Sequence, residues 1–502
     1  MNIKRAKQEI RDSIEAYLLK NEYGEYEIPT VRQRPILLIG APGIGKTQIM
    51  EQVAEECGIG LVAYTITHHT RQSAIGLQYI KEKEFAGKKM SVTEYTMSEI
   101  VASVYEKMEK TGWKEGILFL DEINCVSETL APAMLQFLQC KSFGNHKIPE
   151  GWIIVAAGNP PEYNKSVREF DIVTLDRVKK IEVEPDFAAW KEYAYKVNIH
   201  PAIISYLNVR PQNFYRMETT VDGKSFATPR GWEDISRLLT VYEKLGKTLD
   251  YEVAVQYVQH EQTARDFANY LELYYKYQTD YQIEAVLGGT IDPILEKKTA
   301  HASFDERLSV IGLLLAGLND RFLKVYDKEK KLEILMRLLK GYQAQPETDG
   351  VGALALLTES YRSGWQMKRE NGVLSGREEK ACRSVSAVLE SYVARLRQKN
   401  SGSTEECFAD IRQWFAAENE ELMTMQDAAG EALEHAFDFM ESVFGESQEM
   451  AVFMTELNNS SYAVAYLTEY DCERYQQYNQ SFMFEENRDR LLKRIDHMEN
   501  WG

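Results

Sequence analysis

Arg34–Thr47 reads RPILLIGAPGIGKT, and the fold of the first half of the chain follows from it. A short apolar run bounded by proline and glycine has the pattern of a strand buried on both faces of a parallel sheet. Gly40–Thr47 then fits G-x-x-x-x-G-K-[ST] in full. Glycines in such a loop let backbone N–H groups turn inward around phosphates, at the positive end of the helix that follows. That helix is expected over Gln48–Cys57, with Ile49, Val53 and Ala54 on one side. The candidate phosphate-binding residues are therefore Gly40, Ala41, Pro42, Gly43, Ile44, Gly45, Lys46, Thr47 and Gln48. In this motif the lysine reaches the β- and γ-phosphates and the hydroxyl of Thr47 holds Mg²⁺.

Working outward, Ile59–Ile66, Gly116–Asp121 (GILFLD) and Trp152–Gly158 (WIIVAAG) read as further buried strands. Ser98–Lys110 and Leu130–Leu138 read as the helices between them, and Tyr79–Tyr95 as a hairpin. Strand and helix alternating at this spacing predict an α/β domain with a parallel sheet flanked by helices. Two of these strands end in groups that suit the same chemistry. Leu118–Asn124, LFLDEIN, puts Asp121 where it can face a metal and Glu122 where it can polarise an attacking water. Ala156–Pro160, AAGNP, ends a strand in the amide of Asn159, which read alone is a turn-forming Asn-Pro.

Taken together, the phosphate loop, DEIN, Asn159, Asp176-Arg177 and Thr228–Glu233 (TPRGWE) resemble AAA+ ATPases of the MoxR and dynein-related group, over about 31–270. The resemblance implies ATP and Mg²⁺ as ligands, with Thr47 and Asp121 on the metal and Glu122 and Asn159 acting on the water. It implies that Arg177 is an arginine finger reaching a neighbouring subunit's site and that Arg230 contacts the γ-phosphate from a helical lid. Arg168 is a second candidate for the finger. A finger supplied in trans implies a homo-oligomeric ring, in this family usually a hexamer. Tyr79–Tyr95 and Lys141–Pro149 stand where the family carries two hairpins. With the helical spacing before and after that stretch, the expected organisation is an N-terminal helix (1–30), an α/β core (31–184), a helical lid (185–270) and an all-α C-terminal region (271–502).

Within that last region, helical spacing covers Glu306–Leu318 and Glu329–Tyr342, and breaks fall at 343–352 and 398–403. Ser403 with Glu406 three residues on is a capping signature for a new helix. Leu433, Phe437, Met440 and Phe444 follow one helix face and read as core, whereas Glu418–Glu421 reads as a solvated helix end. At the other end of the chain, Ile10, Ile14, Tyr17 and Leu18 predict an amphipathic helix, and Met1–Lys20 has no apolar segment of the signal-peptide kind.

Composition narrows the function. Charged residues are 27% and hydrophobic ones 44%, a globular composition, and 502 residues suggest about three domains. The six cysteines form no CxxC pair, which favours reduced thiols and a cytoplasmic location, and His68-His69 lacks a third ligand at metal spacing. A net charge of −18 opposes binding to a phosphate backbone, so proteins are the expected partners. By resemblance the function is a chaperone or remodelling motor acting with a von Willebrand factor A-type protein. A nucleic-acid motor is the alternative, its hairpins offering Lys81, Lys83, Lys88, Lys89, Lys141 and Lys147. A nucleotide-gated scaffold without turnover is disfavoured by the intact Lys46, Thr47, Asp121 and Glu122.

Overall fold

The computed structural model of the chain describes residues 1–481, apart from 69–70, 86–87, 144–145, 164–166, 168–169, 221–222, 345–348, 371–373, 375 and 400–402. His69 and Arg168 therefore lie outside the described residues. The chain forms two compact units, Met1–Trp190 with Phe214–Asp234, and Lys191–Asn213 with Ile235–Gly502.

The first unit is built on a five-stranded sheet. Its strands are β1 (Ile36–Gly40), β2 (Gly60–Thr65), β3 (Gly116–Asp121), β4 (Trp152–Gly158) and β5 (Lys179–Val183). They lie in the order β2-β3-β4-β1-β5, with every pairing parallel. Alternate side chains of the three central strands feed two cores, as the period of two requires. Ile36, Leu38, Ile117, Phe119, Ile153 and Val155 enter one core with Ile49 and Val53 of the helix Lys46–Cys57. Leu37, Leu118, Leu120, Ile154 and Ala156 enter the other with Ile100 and Val104 of the helix Glu99–Thr111 and Phe137 of the helix Ala131–Cys140. The N-terminal helix, Ile3–Leu18, adds Ile10 and Ile14 to the first core, with Tyr17 and Leu18 packed at its margin. Because the strands are parallel, β1, β3 and β4 deliver Gly40, Asp121 and Gly158 to the same edge of the sheet. Open α/β sheets bind ligands at that carboxyl edge.

Two β features of this unit, a strand and a hairpin, are absent from the sequence expectations, as are the short helices Arg71–Ile75 and Ile172–Leu175. The fifth strand, KKIEV, is short and alternates, burying Ile181 and Val183 while exposing Lys180 and Glu182. Arg216–Thr220 and Gly223–Ala227 pair as an antiparallel hairpin. Its signal was the Asp222-Gly223 dipeptide between β-branched and aromatic residues. The two expected hairpins are Gln78–Phe85 paired with Lys88–Tyr95, and the much shorter Ser142–Phe143 paired with His146–Lys147.

Among its described residues the second unit is helical. Two helices much longer than the rest, Phe304–Gln343 and Thr404–Phe444, lie against one another. The first joins the two segments Glu306–Leu318 and Glu329–Tyr342 without a break. Ser403 caps the second, its hydroxyl accepting from the Glu406 N–H at 3.4 Å, and Leu433, Phe437 and Met440 are buried. The acidic run at 418–421 is not a solvated helix end but the middle of this helix. Glu418 there accepts from Lys328 at 2.5 Å and Lys331 at 3.1 Å. Burial pushes the Glu418 carboxyl up, but these two ammonium groups hold it below the usual carboxylate range. All six cysteines are free. No helix among the described residues is long and apolar enough to cross a membrane.

The core placements predict a contrast. Phe119, fully buried at the centre of β3, should cost about 3–5 kcal/mol as Phe119→Ala. Ile80, 78% exposed on the long hairpin, should cost less than about 0.5 kcal/mol as Ile80→Ser. Urea unfolding of both variants checks the pair.

Candidate functional site

The loop between β1 and the helix Lys46–Cys57 carries the first cluster. Gly45 ends the loop with φ 93°, a left-handed conformation that a side chain would strain, and no side chain caps the helix that starts there. The first N–H groups of that helix are thus left to a ligand over the loop. Gly43, with φ 76°, packs so closely that an added Cβ would lie 3.1 Å from the Thr228 hydroxyl and 3.5 Å from Cβ of Arg230. Thr228 and the first turn of the helix Pro229–Lys244 therefore back directly onto the loop. Glu233, one turn further on, accepts from the side-chain amide of Gln48 at 3.3 Å.

Lys46 sits at the centre of the arrangement and is only 8% exposed. Its ammonium donates to the carbonyls of Gly40 at 2.7 Å and Ala41 at 2.8 Å and to Oδ1 of Asn159 at 3.0 Å. Those partners are neutral. Burial pushes Lys46 down to about 8, with Asp121 and Glu122 opposing the shift and Arg230 adding to it. A desolvated ammonium with no anionic hydrogen-bond partner among these is a site suited to a phosphate oxygen.

The carboxylates lie beside it. Thr47 donates its hydroxyl to Oδ2 of Asp121 at 3.0 Å, and the other Asp121 oxygen accepts from the Glu122 N–H at 2.9 Å. Glu122 has φ 57°, a left-handed conformation that is rare for a residue with a side chain. Its carboxylate accepts from the Thr67 hydroxyl at 3.1 Å, just past the end of β2. Asn124 is 5% exposed and is bonded on both sides to the backbone of Asn159.

Hydrogen bonds thus join Lys46 to Asn159 and Thr47 to Asp121, with Glu122 bonded to Asp121 and Arg230 standing behind the loop. Arg177 is not joined to them. It is exposed, after the short helix Ile172–Leu175, and donates to Gln139. Sequence reasoning missed Thr67, Asn124 and Glu233. The first is an ordinary residue beyond a strand, and the other two lie inside recognised motifs whose spacing says nothing of their partners.

The residues present fit a magnesium nucleotide. A hydroxyl and a carboxylate converge as oxygen donors suited to Mg²⁺, next to a buried cation and an uncapped helix start suited to phosphates. Residues 35–178 match the family model of the AAA domain, dynein-related subfamily. No curated protein matches the chain. The match and the five-stranded parallel sheet together support an AAA+ ATPase domain in the first unit.

If Thr47 and Asp121 hold the metal, Thr47→Val should erase the dependence of ATP binding on Mg²⁺ and leave the weaker metal-free binding in place. Titration of a fluorescent ATP analogue with and without Mg²⁺ reads both.

Proposed function

We propose that the protein is a ring-forming AAA+ ATPase of the MoxR type that couples ATP hydrolysis to remodelling of a protein partner. The buried Lys46 ammonium carries this reading. It is held at the carboxyl edge of the sheet between loop carbonyls and Asn159, beside the Thr47–Asp121 pair.

In this reading the N–H groups of Gly40–Gln48 wrap the phosphates and Lys46 binds the β- and γ-phosphoryl oxygens. Thr47 and Asp121 would hold Mg²⁺, which when bound neutralises charge on those oxygens. Glu122 accepts the proton of the attacking water, and Asn159 holds that water and the γ-phosphate in line. Arg230, from the helix behind the loop, offsets charge developing on the γ-phosphate. Arg177 is exposed and unattached to this cluster, which suits a group that acts on a neighbouring subunit's site. An arginine finger is worth about 10³–10⁵ in rate, so the assembled ring, in this reading a hexamer, is the active form.

The order of DEIN, Asn159, Asp176-Arg177 and TPRGWE supports the MoxR assignment. A von Willebrand factor A-type protein is the client that assignment suggests, in the cytoplasm. The charge of −18 favours a protein client over nucleic acid.

Three variants test the chemistry. Lys46→Ala should lose ATP binding, and Glu122→Gln should bind ATP while turnover falls at least about 10²-fold. Arg177→Ala should bind ATP and fail to hydrolyse it. Mixing Lys46→Ala with Arg177→Ala, each inactive alone, should restore part of the turnover, because mixed rings pair an intact loop with an intact finger. Absence of any recovery would remove Arg177 from the role in trans.

A further inference from the structure

We propose that Asn124 is a positioning residue for hydrolysis, acting through Asn159 by clamping its backbone. The inference rests on the ATPase reading above and deepens it.

The need for a clamp arises at the end of the sheet. β3 pairs with β4 through Leu120 and Ala156, and the chain then turns away at Glu122, whose φ is 57°. One more backbone bond follows, from the Ile123 N–H to the Ala157 carbonyl at 2.9 Å. Beyond it the main chain of β3 is no longer available to pair with Asn159. Asn124 fills that place with its side chain. Its Nδ2 donates to the Asn159 carbonyl at 2.8 Å, and its Oδ1 accepts from the Asn159 N–H at 3.2 Å. A side-chain amide thereby reproduces the donor and acceptor of a missing peptide group, extending the ladder by one residue.

The fit is restricted from both sides. Asn124 is 5% exposed, so neither bond is readily replaced by water. Across from it Gly158 leaves no room, because an added Cβ would lie 2.5 Å from Oδ1 and 2.8 Å from Cγ of Asn124. Aspartate lacks the donor, glutamine is longer by a methylene, and serine offers a single oxygen. Of these side chains, asparagine alone offers both a donor and an acceptor at this length.

What the clamp fixes is the direction of the Asn159 side chain. That side chain leaves a backbone bonded at both N–H and carbonyl, and its Oδ1 stands 3.0 Å from the Lys46 ammonium. In the ATPase reading Asn159 must hold water and γ-phosphate in line, and small errors of placement there are costly in rate. Without the clamp the Asn159 backbone keeps its place in the chain but loses both local bonds, so its side chain samples other directions. Nucleotide binding, which rests on the loop and Lys46, does not require that direction.

The test separates positioning from folding. Asn124→Ala should lower kcat by about 10- to 100-fold while the Kd for a fluorescent ADP analogue stays within about threefold of the parent. Gly158→Ala, which pushes the amide out from the opposite side, should do the same. The double variant Asn124→Ala/Asn159→Ala should turn over no more slowly than Asn159→Ala alone, since one residue acts through the other. Multiplying effects in the double variant, an unchanged kcat in Asn124→Ala, or parallel loss of nucleotide affinity would each overturn the proposal. If Asn124→Ala does not fold, Gly158→Ala and its double with Asn159→Ala decide by the same criteria. A parent protein with no ATP turnover would instead defeat the ATPase reading itself, so the two failures are distinct.

Discussion

The first unit is organised around one buried positive charge. An ammonium at 8% exposure is costly unless dipoles surround it, and here they come from the ends of two strands. Gly40 and Ala41 supply carbonyls at the end of β1, and Asn159 supplies its amide oxygen beyond β4. That supply follows from β1 lying beside β4 and running parallel to it. The two hydrophobic cores on the faces of the sheet serve this arrangement, since they lock the register that brings the strand ends level. A buried ammonium whose hydrogen-bond partners are neutral is what suits the loop to a phosphate.

Much of this was legible in the sequence, for a physical reason. A strand buried on both faces must be apolar throughout, so ILLI, GILFL and WIIVAA identify themselves, and a loop that wraps phosphates must be glycine-rich. The edge strand KKIEV is half-solvated, carries a weaker signal and escaped notice. So did the hairpin at Arg216–Ala227, which sits inside a stretch otherwise read as helical. The network around the carboxylates was harder still. That Thr67 meets Glu122, or that Gln48 meets Glu233 across 185 residues of chain, depends on which strand ends become neighbours, and no local pattern encodes that.

The second unit yields a different lesson. Its helical faces were readable from apolar spacing, yet the acidic run at 418–421 was misread because spacing does not reveal an ionic partner. Lys328 and Lys331 come from the facing long helix and leave Glu418 between them. Two long helices joined by half-buried ion pairs as well as apolar contacts are fixed in register as well as in proximity. Purely apolar seams tolerate sliding by a turn, whereas a paired charge does not.

Glu122 closes the account of the carboxyl edge. Its left-handed backbone is one that an L-residue enters at a cost of about 1–2 kcal/mol and glycine enters freely. A chain shaped for durability alone would place glycine there and lose the carboxylate. Keeping glutamate means that the protein holds its acidic group on a segment already inclined to relax. Attempts to harden this fold by design will therefore be drawn to the position where hardening does most damage.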